Sequence, residues 1–590
     1  MFRARYFILP VAMIAAGCMG DKITPYINDG SQTGDEGDTQ TIITEEGRDD
    51  AEEGEDDISA TNFDRTITIT WSSTGATVTG DENKIAAVSG GNVTIDNTAF
   101  SEKIRYELSG SSSNGSLKIY SKNKQALILN GLSLTNPNGA AINNQGKKRC
   151  FVVVKGANSL ADGPTYTYTG DEDEKAAFFS EGQLIFSGDG SLTVTATGKA
   201  AITSDDYVRV MASPSITVSS SAGHGIRGKD FITISDGTIN ATVSAAGKKG
   251  FSSDSLVCIT GGTTTIKVTG GVLTEKTSSG TTDYSGAAGI KADQVFEMSG
   301  GEVNIESTGA GGKGIKVGGN NIDRIPLPNP VRISGGTLNI KVTGTNYTSG
   351  DVSAKGFKVG WAVKSGHSYS AMAGNMIMTG GKVSVSSTNA EAIEVKRELT
   401  VSGGELYGTS SKDDAINCAS TFTVNDGMVC GISSGNDGLD SNGNFYIKGG
   451  VVYAAGKTSP ELGIDANTEG GFKLYVQGGT IFAIGGLENG ASLTQSCYQA
   501  SSWTKSSNYA MTVGSDTYIF KTPSSGGTSL VVSGASQPTL KSGVSVSGGD
   551  SHCGGNITTG ATVTGGSSVS TSAYSGGNGG GGGGGGRPPR

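Results

Sequence analysis

Three stretches set one beneath another decide the fold: AIEVKRELTVSGGELYG (392–408), AINCASTFTVNDGMVCG (415–431) and GLDSNGNFYIKGGVVYA (438–454). Ile393, Ile416 and Leu439 stand 23 residues apart, and Ile464 follows after 25. Three further sets keep the same register: Leu399, Phe422, Phe445 and Leu474; Val401, Val424, Ile447 and Val476; Leu406, Val429, Val452 and Ile481. Just before the last set the chain places Gly403-Gly404, Asp426-Gly427, Gly449-Gly450 and Gly478-Gly479. Apolar residues alternate with polar ones inside each unit, the period-2 pattern of a strand with one buried face. No such unit buries that face alone. Repeats of this length, made of short strands and glycine turns, predict coils that stack and share an apolar interior. The fold expected is all-β: a right-handed, single-stranded parallel β-helix with coils of about 23–25 residues and surface insertions.

Working outward, composition agrees. A solenoid grows by adding coils, so 590 residues fit one long domain. Glycine reaches 95 residues while proline stays at 13, which suits repeated turns rather than a collagen-like tract. Residues 1–18 read as a lipoprotein signal peptide. Arg3 and Arg5 precede an apolar run that ends in Ala15-Ala16-Gly17-Cys18, similar to the bacterial lipobox, with Cys18 as the lipidated residue. The alternatives are an ordinary secretory signal or a short membrane anchor. Residues 19–62 read as an acidic disordered tether, because 21–60 carry 14 Asp/Glu against Lys22 and Arg48. The rest of the chain is close to neutral, and no basic stripe is interleaved with stacking aromatics, so nucleic acid is not an expected partner. The coils are expected over 63–510, a C-terminal β cap over 511–574 and a Gly-rich flexible tail over 575–590. Insertions fall at 272–286, 319–330, 344–353, 361–375 and 487–510, where solenoids commonly build a binding face.

A series of short motifs carries a family resemblance: Tyr106-Glu107-Leu108-Ser109-Gly110, Leu127-Ile128-Leu129-Asn130-Gly131-Leu132, Asn158-Ser159-Leu160-Ala161-Asp162-Gly163, Gly188-Asp189-Gly190-Ser191-Leu192 and Gly225-Ile226-Arg227-Gly228-Lys229-Asp230. With the later coils the chain resembles, over about 100–485, carbohydrate-binding β-helix proteins related to the clostridial cellulose- and polygalacturonate-binding protein, which is similar in fold to pectate lyases. The lipobox-like segment and the acidic stretch after it imply a lipid-anchored protein of a bacterial outer membrane or cell surface, and the family resemblance implies its activity. It would be a monomer that binds plant-type or acidic polysaccharide, with calcium, and without cleavage. The alternative is a polysaccharide lyase or polygalacturonase-like hydrolase on the same scaffold. Several turns that often read Asp-Gly-Ile in the family carry Lys or Ala here.

Candidate sites follow from register. Tyr407, Tyr453 and Phe482 share an outward position with Cys430, and their rings are candidates for stacking on sugars. The other reading packs them under the cap. A basic series, Lys249, Lys291, Lys313, Lys316, Lys355 and Lys358, lies near Trp361 and suits a uronate chain or, more simply, a solvated face. For calcium, the turns place Asp414 and Asp437 before the ladder aliphatic and Asn417, Asp440 and Asp465 after it, with Asp413 adjacent. Neighbouring coils bring such positions to about 4.8 Å, where oxygen ligands from two coils reach one ion. Pairing with Lys396, Arg397 and Lys412 is the alternative. Asp205-Asp206 and His224 resemble part of a polygalacturonase set, but the companion motifs are absent. Of the six body cysteines, most are expected to be free thiols, with Cys418 and Cys430 pointing to opposite faces.

Overall fold

The computed structural model describes residues 54–167, 172–318, 329–365 and 368–576, with the backbone alone for 361–373. The signal segment with Cys18, most of the tether, the end of the tail and the side chain of Trp361 lie outside the described residues. What is described is all-β, built on a 30-stranded sheet and a 14-stranded sheet whose strands pair mainly in parallel. Among the described residues no helix is long and apolar enough to cross a membrane.

Strand pairing follows the sequence period. Ile393 pairs with Ile416, Ile416 with Leu439, and Leu439 with Ile464, all in parallel. On the larger sheet Leu399, Phe422, Phe445 and Leu474 pair in succession, as do Val429, Val452 and Ile481. These side chains are wholly buried and form one continuous apolar cluster between the two sheets. Within it the rings of Phe422 and Phe445 stack 4.3 Å apart. Burial on this scale drives the stacking, since each Leu, Ile or Phe removed from water contributes roughly 1.5–3 kcal/mol. The turn glycines are constrained by the neighbouring coil. Gly427 and Gly450 hold φ of 85° and 74°, and a Cβ there would come within 2.8 Å and 2.5 Å of the carbonyl oxygens of Gly404 and Gly427.

Two ends depart from the repeat. The expected tether stops early: Asp56 is buried against Arg149 and Arg209, and Phe63 packs edge-on to Phe151 with ring centres 6.3 Å apart. An acidic run reads as solvated from composition alone, but these arginines give one of its carboxylates a buried partner. At the other end six antiparallel strands, from Asn508–Val513 to Thr562–Val569, make a separate sheet over the last coils. Two of the expected insertions are antiparallel hairpins, Val272–Lys276 with Thr282–Gly286 and Trp361–Ser365 with Ser368–Ala373, while most of 319–330 lies outside the described residues.

Candidate functional site

The smaller sheet carries the lysines together. Lys291, Lys316 and Lys358 are register partners on the strands Ala288–Ala292, Lys313–Val317 and Phe357–Val359. Their neighbours Ile290, Ile315 and Phe357 point into the core, so the lysines point out, one per coil. Two walls turn this row into a cleft of about 430 Å³: the hairpin bearing Tyr284 and Ser285, and the segment from Gly350 to Ser353. Gly350 allows the walls to meet, because a Cβ there would fall 2.4 Å from the Tyr284 ring. Lys249, Lys313, Lys355 and Lys396 complete the lining.

Charge in the cleft is unevenly matched. Lys291 pairs with Asp293 at 2.7 Å, and Lys355 with Glu391 at 2.9 Å and Glu394 at 2.6 Å, while Lys358 and Lys396 also reach Glu394. Burial pushes the Glu394 carboxyl up, but Lys355, Lys358 and Lys396 outweigh it and hold the group at about 2. Lys249 and Lys313 reach uncharged oxygens instead. Lys249 donates to Ser285 Oγ at 3.1 Å and to the Gly247 carbonyl, and Lys313 to the Gly311 carbonyl at 3.3 Å. Burial first, and repulsion from neighbouring lysines second, lower both to about 7 and Lys316 to about 8. An arriving anion would restore the charge that burial penalises.

The same outer row continues into acid. Beyond Lys358 the register partners are Glu394, Asn417 and Asp440. Asp437, Asp440 and Asp465 are buried and each offers an oxygen within 4.8 Å of the others. Of the expected ligands, Asn417 supports this group, donating to Asp440 at 2.7 Å and Asp414 at 3.1 Å. Asp414 sits one coil back and accepts from the Asp437 N–H at 3.1 Å, and Asp413 stands outside the group. Of the pairs drawn from register, Asp440 with Asp465 stays together in this group, while Asp414, which accepts from Asn417 and from the Asp437 N–H, falls outside it. Glu488, unforeseen from the sequence, adjoins Asp465. Burial and then Asp465 push it to about 9, as burial, Asp465 and Asp414 push Asp437 to about 8. Three buried carboxylates this close suit a hard cation with oxygen ligands.

The aromatic stripe is corrected. Tyr453 and Phe482 are fully buried beneath the C-terminal sheet, with the Tyr453 hydroxyl donating to the Lys521 carbonyl at 2.7 Å and Phe482 lying 4.5 Å from Phe520. Tyr407, half-buried, accepts from Asn556 at 3.1 Å. Cys430 in the same row is bonded to Cys553, so the cap covers the positions that were candidates for sugar. Cys150, Cys418 and Cys497 are free and buried, but Cys258, Cys430 and Cys553 are disulfide-bonded, so half of the six and not most are free thiols. His224 accepts from the Lys249 N–H at 3.0 Å, with burial lowering its pKa, while Asp205 pairs with Lys175 at 2.5 Å. Each of these groups is committed to a partner on a neighbouring coil.

A carbohydrate-binding family model matches residues 89–254. It is described as that of a carbohydrate-binding domain-containing protein. Of the cleft lysines only Lys249 falls inside that span. Among solved structures, the polysaccharide lyase-like protein from C. thermocellum, in a gadolinium derivative, is similar at 21% identity, over 43% of this chain and 94% of that one, with a TM-score of 0.33. No curated protein matches the chain.

Proposed function

We propose that this chain is an exported, lipid-anchored parallel β-helix of right-handed, single-stranded type that binds acidic polysaccharide in the lysine cleft. The family match at residues 89–254 supports carbohydrate as the ligand class. The observation that carries the acidic preference is the row Lys291, Lys316 and Lys358, one lysine per coil, walled by Tyr284. Carboxylates spaced along a uronate chain meet ammonium groups there, and the Tyr284 ring offers an apolar face to the sugar. The Cys430–Cys553 bond supports an oxidising compartment and hence export through the Cys18 signal. Calcium is proposed as a structural ion, with Asp437, Asp440 and Asp465 as its ligands. Pull-down of the purified body on polygalacturonate and on a neutral glycan tests the reading. Retention on polygalacturonate that Lys316→Glu abolishes supports it, and equal retention of the two proteins overturns it.

One observation favours a second reading, β-elimination by a polysaccharide lyase. Lys249 and Lys313, with pKa values of about 7, are suited to take a proton near neutral pH. Unsaturated ends appearing in polygalacturonate incubated with the protein would move it to that class.

A further inference from the structure

A second cleft, of about 590 Å³, opens where the C-terminal sheet meets the coils. Its floor is made by the turn glycines Gly381, Gly404, Gly427 and Gly450, one from each of four successive coils. All four hold φ between 74° and 85°. A Cβ on any of them would lie 2.5–2.8 Å from backbone of the preceding coil, so this floor is bare peptide by construction. At a strand spacing near 4.8 Å it runs for about 14 Å.

One wall comes from the coils and one from the cap. Lys382, Glu405, Met428 and Val451 are register partners along the first. Tyr518 and His552 stand on the second. The cap wall is fixed rather than merely adjacent. Glu405 accepts from the Cys553 N–H at 2.5 Å and lies 3.2 Å from His552 Nδ1, while His552 Nε2 lies 3.1 Å from the Thr559 hydroxyl. Cys553 is bonded to Cys430 of the coils, and the Tyr518 ring is held 6.4 Å from that of Phe482.

The chemistry differs from that of the lysine cleft. Glu405 and Asp426 outnumber the single lysine, so a polyanion gains nothing here. The Asp426 carboxylate accepts from hydroxyls, Lys382 donates to them, and Tyr518, Met428 and Val451 offer apolar surface to the C–H face of a sugar ring. A mostly apolar pocket with a few placed polar groups is the usual form of a small-molecule site. We propose that this cap-edge cleft binds a neutral oligosaccharide, independently of the acidic chain proposed for the lysine row.

Titration calorimetry on the disulfide-intact body tests this with cellohexaose, xylohexaose and maltohexaose, and with oligogalacturonate as the acidic comparison. At least one neutral hexasaccharide is expected to bind. Tyr518→Ala should weaken it about tenfold or more, a loss near 1.4 kcal/mol, and leave oligogalacturonate unchanged. Asp426 is exposed and accepts from the Gly427 N–H at 2.7 Å, so Asp426→Ala gives the same test provided the melting temperature is unchanged. Lys316→Glu should show the reverse pattern. The inference is overturned if none of the three hexasaccharides binds, if their binding survives Asp426→Ala at full strength, or if oligogalacturonate displaces them.

Discussion

The carboxylate of Asp56 lies 2.7 Å from Nε of Arg149, a residue 93 positions further along the chain. The Tyr207 hydroxyl donates at 2.6 Å to the same oxygen that meets Arg149, and the second oxygen lies 2.9 Å from Nε of Arg209. The Asp56 side chain is fully buried, so two coils are tied to the N-terminal segment by one acid. Asp56→Ala leaves two arginines facing a void, and a loss of about 3–5 kcal/mol is expected in urea unfolding. Glu55→Ala removes a carboxylate that is 54% exposed, and should change stability by less than about 1 kcal/mol.

Binding in the lysine cleft should depend on pH. Lys249 and Lys313 titrate at about 7 in the folded chain against an ordinary 10.5. Below about pH 7 both are charged and ready for a polyanion. Above it, each must take up a proton on binding, so affinity for polygalacturonate should fall as pH rises from 6.5 to 9. Without ligand the sign is opposite for folding. These depressed groups penalise the fold most at and below pH 7, and the penalty fades as pH climbs toward 10.5. Fluorescence titration at several pH values checks the first effect, and thermal melts the second. Affinity that stays flat across the range would exclude these amines from the site.

Calcium should stabilise the later coils. Millimolar calcium is expected to raise the melting temperature over that in chelator by several degrees, by mass action on the folded state. Asp437→Ala or Asp465→Ala should abolish the difference, whereas Asp413→Ala, outside the group, should preserve it. Equal melting in chelator and calcium would remove the ion from the account.

The Cys430–Cys553 bond closes 123 residues of chain and pins the cap to the coils. Cys553→Ser should cost about 2–5 kcal/mol and expose the cap to protease before the coils. Mass spectrometry of limited digests reads this directly. Coils and cap lost together would show that the bond is not what holds the cap in place.

Much of the architecture is legible in the sequence because the same contacts recur. The period between Ile393 and Ile416 is the pairing offset itself, and the glycines before Leu406, Val429 and Val452 mark turns that admit no side chain. The lysine row was visible as a series for the same reason. What register could not convey is what covers a face. Tyr453 and Cys430 occupy outward positions by alternation, yet the cap arrives from residues more than 60 positions later and has no period to count. The wall made by Tyr284 is likewise lost, since it depends on two insertions, 272–286 and 344–353, meeting across Gly350. Composition also misplaced Asp56, whose partners lie in distant coils.

The row that runs from Lys291 through Lys316 and Lys358 changes sign at Glu394, one coil later. On the proposed reading a polyanion laid along it would meet outward lysines on three coils and, at the fourth, a carboxylate already shared by Lys355, Lys358 and Lys396. The footprint is short, about 10 Å between the outer lysines at ordinary strand spacing. One copy would then grip only a small segment of a long polymer and let go readily. Firm retention would then come from avidity, wherever many copies each hold a separate stretch of the same chain.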